Sequence, residues 1–216
     1  MQLMRRSWRS VRGQAGFSLA ELLVAATVSL VALVCIGAFN RFQLFAIRDQ
    51  AAQVDLQSGA RSIADLFGRE IRRAGMDPTC SKAFEAIATA TTTQVRFKSD
   101  LNANGAIGGT DEDITYRFRL WREKIERTSG GVTDLLMSAL DPAGSGLAYF
   151  DANGIQLIPG SGGLTSAQRA AVRRIRLSLA FKGDAVDPQN SQLQVTQVSA
   201  DIDLRNRFFL GSTACP

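Results

Sequence analysis

From Phe17 to Phe39 the chain runs 23 residues with one charged side chain, Glu21. About 20 helical residues at about 1.5 Å each cross the ~30 Å hydrocarbon core of a bilayer. The run is therefore read as a membrane-spanning helix, and most folds with a single soluble core are excluded. Arg5, Arg6, Arg9 and Arg12 precede it with no acidic residue among them. Such a flank stays on the cytoplasmic side and sends the rest of the chain across. A secretory signal does not fit, because its apolar core is about 7–15 residues and ends in a small-residue cleavage site. Glu21 stands at the mouth of the run. A carboxylate is costly in lipid and calls for a partner.

Gly16-Phe17-Ser18-Leu19-Ala20-Glu21-Leu22-Leu23-Val24 resembles the class III leader of type IV prepilins and type II secretion pseudopilins. The resemblance implies that a prepilin peptidase removes residues 1–16 by cutting between Gly16 and Phe17 and methylates the new amine of Phe17. It also implies that Glu21, then the fifth residue, meets the N-terminal amine of a neighbouring subunit. Two charges that are each costly in lipid neutralise one another only when the subunits are in register.

The formal net charge of the 216 residues is +5. The four leader arginines account for most of it, so the high charge concerns membrane orientation more than nucleic acid, and no nucleic-acid partner is expected. Cys35 falls inside the apolar run. Cys80 and Cys215 are the two thiols left for an oxidising compartment, and a Cys80–Cys215 disulfide is expected. The chain has no histidine, no Cys-x-x-Cys and no phosphate-binding glycine loop, so it is not read as an enzyme.

Past Asn40 the pattern becomes amphipathic. Phe42, Phe45, Ala52, Leu56, Ile63, Leu66, Phe67, Ile71 and Ala74 recur at helical spacing up to the Gly75 stop. Gly59 and Gly68 weaken that helix locally. The remainder alternates like strands at Phe84–Ala90, Gln94–Lys98, Asp113–Trp121, Lys124–Thr128, Leu147–Asp151, Ile155–Ile158, Arg173–Lys182 and Gln192–Leu204. Ser166–Val172 reads as a short helix. Val195 and Val198 break the alternation of the last strand and suggest a bulge there.

The fold class is thus α+β, pilin-like: a long N-terminal helix, first transmembrane and then amphipathic, packed on a mainly antiparallel β-sheet. The domain organisation is a cleaved leader (1–16), an assembly segment (17–39), an amphipathic helix (40–75) and a β-rich head (76–216). Arg72-Arg73-Ala74-Gly75-Met76-Asp77-Pro78, Glu112-Asp113-Ile114-Thr115-Tyr116 and Leu204-Arg205-Asn206-Arg207 look like minor pilins of the PilW class and J-class pseudopilins.

Asp100, Asn102, Asn104, Ala106 (through its carbonyl) and Asp111 fall at the ligand positions of an EF-hand-type Ca²⁺ loop, with Gly105 at the sixth. The twelfth position is Asp rather than Glu, and the flanks are strand-like; Asp111, Glu112 and Asp113 are alternative carboxylates. The rival reading is a plain Asn-Gly loop. The resemblance implies a minor pilin in the initiation or tip complex of a type IV pilus, or a minor pseudopilin of type II secretion. Its partners would be prepilin peptidase and other minor and major pilins or pseudopilins. Its location would be the bacterial inner membrane as a single-pass protein with a periplasmic head, and the pilus or pseudopilus after assembly. A membrane-tethered binding module that never polymerises is the rival from another class.

Overall fold

The computed structural model describes residues 16, 18–80, 84–186 and 193–204. Phe17, Cys215 and leader residues 1–15 lie outside the described residues. The chain divides into two compact units, Met1–Arg48 and Asp49–Pro216. One helix, α1 (Leu19–Ile71), contributes residues to both.

In the first unit α1 is apolar on every side from Leu22 to Phe39, and it is long and apolar enough to cross a membrane. The hydroxyls of Thr27 and Ser29 donate back to the carbonyls of Val24 and Ala25 at 2.8 and 2.7 Å. No hydroxyl of this stretch is left needing an outside partner, which suits an apolar surround. Phe42 belongs to the expected stripe but is exposed; burial of that stripe begins at Leu56.

In the second unit α1 buries Ala60, Ile63, Ala64, Phe67 and Ile71. The helix ends in a turn at 72–75, where Gly75 takes φ +77 and donates to the Lys98 carbonyl at 2.8 Å. Only glycine adopts that conformation without strain.

Among the described residues nine strands follow: β1 (Ile87–Ala90), β2 (Gln94–Lys98), β3 (Asp113–Arg119), β4 (Lys124–Ser129), β5 (Val132–Ser138), β6 (Gly146–Phe150), β7 (Gln156–Leu157), β8 (Arg174–Val186) and β9 (Leu193–Asp203). They form two antiparallel sheets rather than the one expected, ordered β1-β2-β3-β4-β5 and β7-β6-β8-β9. The helix stripe, the inner face of the first sheet (Val95, Phe97, Tyr116, Ile125) and that of the second (Ile175, Leu177, Leu179, Ile202) make one core. A short helix α2 (Ser166–Ala171) carries a Thr165–Gln168 capping box and anchors to Glu85 through Arg169.

Three details depart from the sequence expectation. The third expected strand ends at Arg119 and passes into a 3-10 turn, Leu120–Arg122, closed by Glu123 at φ 51. β5 was not foreseen; Val-Thr-Asp-Leu-Leu-Met-Ser has no clean alternation, and its order comes from pairing with β4 across the Gly130–Gly131 turn. The expected bulge in β9 is absent. Pairing runs one for one from Lys182↔Val195 to Arg174↔Asp203, and the register shift falls between Lys182 and Val186 of β8. Val195 simply faces outward.

The helix does not break at Gly59 or Gly68. A Cβ at Gly68 would sit 3.7 Å from Ile202 Cγ1, an ordinary contact. Gly68→Ala therefore stabilises the protein by about 0.4–1 kcal/mol, through helix propensity and a less free unfolded chain. Thermal unfolding followed by circular dichroism should show a rise of about 1–4 °C.

Candidate functional site

The first candidate is the N-terminus of α1. The Ser18 hydroxyl accepts from the Glu21 amide at 3.2 Å, and Glu21 Oε2 accepts from the Ser18 amide at 3.0 Å. This is a reciprocal capping box, which fixes where the helix starts and satisfies two of its open amides. A carboxylate in the first turn also suits the positive end of the helix dipole. Gly16 is exposed, and nothing lies within 4 Å of the place a Cβ would occupy. Gly16 is thus not required by packing in this arrangement.

The second candidate is the loop 100–111. Asp100 is fully buried, and its two oxygens accept from the amides of Asn104 (3.2 Å) and Gly105 (2.9 Å). Asn102 and Asn104 close turns on the amides two residues ahead. Glu112, one of the alternative carboxylates, is the loop's hub. Its Oε1 accepts from Leu101 and Asn102, and its Oε2 from Gly108 (3.1 Å) and Gly109 (2.6 Å). A side chain at Gly109 would lie 2.8 Å from that carboxyl, so the approach needs glycine. Asp111 Oδ1 is held by Arg127 at 2.6 Å and Ser129 at 2.7 Å. Among the described residues no group of three or more His, Cys, Asp or Glu is placed to hold a metal ion. A cation here would have to displace Arg127 from Asp111 and amides from Asp100.

Arg127 leads to a feature absent from the sequence reading. It reaches from β4 to Glu70 on α1, with Nη2 2.7 Å and Nε 3.0 Å from Oε1. The hydroxyl of Tyr116, on β3, donates to Glu70 Oε2. Burial, then the bond to Glu70, pushes the Tyr116 phenol well above its ordinary value. Arg127 loses by desolvation but gains more from Glu70 and Asp111, and its value rises. One guanidinium thus joins helix, sheet and loop.

A family model for prepilin peptidase-dependent protein B matches residues 49–205, more than half of the chain. The chain belongs to that family. The match lies wholly beyond the leader motif. No curated protein and no solved structure matches the chain.

In this pilin-like protein the expected site residues fall into two groups. Gly16 and Glu21 stand at the start of α1, and Phe17 lies outside the described residues. Asp100, Asn102, Asn104, Ala106 and Asp111 share one loop of the head. Cys80 takes part in a disulfide and Cys35 is free, while Cys215 lies outside the described residues. Ser18 was not read as a cap, although Ser-x-x-Glu spacing signals one. Glu70 was signalled only weakly, as an acid one position from the buried stripe.

Several head carboxylates are held below their ordinary values. Glu112 is lowered by the Gly108 and Gly109 amides, and Asp111 by Arg127 and Ser129. Ordinary values are 4.5 for Glu and 3.8 for Asp. The stability these groups contribute is complete above those values and is lost as pH falls through the lower folded ones. The Tm should hold from about pH 7 to 5 and drop below about 4.5. Glu112→Gln should start lower and show a shallower acid slope in thermal scans.

Proposed function

We propose that this protein is a minor pilin of the type IV pilus, acting in the initiation or tip complex after prepilin peptidase processing. The observation that carries the reading is an apolar helix, exposed on all sides and starting at the Ser18–Glu21 box, in a chain of the prepilin peptidase-dependent family. Such a surface suits storage in the inner membrane and later burial among like helices of a filament. Head-to-tail packing of this kind is heterologous and builds an open assembly. Cleavage falls between Gly16 and Phe17, Phe17 is N-methylated, and the head lies in the periplasm. Cys80 pairs with Cys215, which alkylation with and without reductant followed by peptide mapping tests.

Glu21 meets the methylated amine of a neighbour and sets the register. Its capping role supplies the reason the carboxylate is tolerable before assembly: it is hydrogen-bonded within its own chain. Intact mass and N-terminal analysis, in cells with and without prepilin peptidase, tests the processing; a retained leader overturns it. Glu21→Ala should lower filament incorporation at least about tenfold, since one unbalanced charge in an apolar bundle costs more than about 1.4 kcal/mol. The melting of the head should not change. Incorporation at the normal level, scored by immunoblot of sheared filaments, removes the register role. Co-purification with secretion pseudopilins instead of pilins moves the protein to type II secretion.

A further inference from the structure

The five-stranded sheet turns Tyr116 and Phe97 inward and sets a charged face outward. Register places Arg96, Lys98, Arg117, Arg119 and Lys124 on that outer face. Asp113 and Glu126 share it. Asp113 pairs with Arg96, and Glu126 with both Arg119 and Lys124. Among the described residues Lys98 and Arg117 have no carboxylate within 4 Å; Lys98 stands across from Asp113 and feels it and Glu85 at longer range, and Arg117 Nε donates to Gln94 at 3.2 Å. The surplus is local, because residues 49–216 hold equal numbers of acidic and basic side chains. The outer face of the second sheet shows the contrast: Arg174 and Arg176 are matched across the strands by Asp203 and Asp201.

At the Arg119–Lys124 end of this face the 3-10 turn presents Trp121, 73% exposed, with the Arg122 guanidinium 4.1 Å from its ring centroid. Leu135 of the edge strand β5 stands opposite Glu126 and is 58% exposed. Tryptophan and arginine are the residues that most often carry the energy of protein interfaces. A large ring left in water is a standing gain for any partner that covers it.

We propose that this face docks an acidic protein surface, with Trp121 as apolar anchor and Lys98, Arg117 and Arg122 as the charge contacts. A nucleic-acid strand suits it less. Its phosphates would lie against Asp113 and Glu126, and nothing in it answers Leu135. A protein can set donors and apolar groups against these positions and carboxylates against the surplus cations.

The inference is independent of which filament the protein joins. The test uses full-length protein in neutral detergent, with poly-L-glutamate and a single-stranded oligonucleotide of equal charge as probes. Poly-glutamate should bind at low salt. Lys98→Glu/Arg117→Glu should weaken it about tenfold, and Trp121→Ala several-fold. Arg61→Glu/Arg69→Glu, two exposed helix cations giving the same net charge change, should leave it within about twofold. Unchanged melting curves confirm that each variant folds. No binding, or equal loss in both double variants, overturns the proposal. Tighter oligonucleotide binding lost with Lys98→Glu/Arg117→Glu also overturns it, in favour of a nucleic-acid surface.

Discussion

Arg127→Ala should lower the unfolding free energy by about 3–5 kcal/mol, the cost of leaving a buried ion pair half made. Arg127 and Glu70 are almost sealed from solvent, with side chains 13% and 11% exposed. Among the described residues the substitution leaves the Glu70 carboxylate with the Tyr116 hydroxyl and takes from Asp111 the cation that hydrogen-bonds it, Arg73 remaining only as a more distant charge. Salt-bridge loss at the rim, as in Arg174→Ala, should cost under about 1 kcal/mol. Chemical denaturation of the detergent-solubilised protein separates the two sizes. An Arg127→Ala cost below about 1 kcal/mol would mean that water replaces the guanidinium at Glu70. Glu70→Gln probes the other end of the pair: its neutral amide keeps the size and a hydrogen-bond acceptor but loses the charge.

Phe67→Ala should cost about 3–5 kcal/mol by a different route, the loss of a large buried ring and the cavity left behind. Phe67 is fully buried and meets the Tyr116 ring edge-on, centroids 4.9 Å apart at 84°. Tyr116 in turn stacks on Phe97 at 6.2 Å. Phe67→Leu keeps most of the volume and should cost clearly less. Tyr116 touches both Phe67 and Glu70, so the Phe67 and Arg127 substitutions should not add. A double-mutant cycle should return a coupling of about 0.5 kcal/mol or more. Strict additivity would mean that the ring contact and the ion network stabilise the helix independently.

The long helix was readable because its signals are local. Length without charge, the three-and-four spacing up to Ile71, and Gly75 as a stop all lie within a few residues of where they act. β2 was read to its residue for the same reason: Gln-Val-Arg-Phe-Lys alternates cleanly between Ser and Asp flanks. The misses share another cause. β5 has no alternation of its own and exists by pairing with β4. The division into two sheets depends on which edges meet. The β8 register shift depends on how 183–185 pass a partner strand. The loop 100–111 was noticed for its oxygen spacing, and Glu112 only as an alternative carboxylate; its place as the loop's hub comes from the amides that converge on it.

The sequence by itself determined the apolar helix, its stop at Gly75 and the run of antiparallel strands. These follow from hydrophobic period, turn residues and charge placement along the chain. Only the tertiary structure decided that Glu70, Tyr116, Arg127 and Asp111 form one network, and that cations outnumber carboxylates on one sheet face. Both depend on residues tens of positions apart being brought together by strand register. Register is set by the packing of whole faces, which no short stretch of sequence contains.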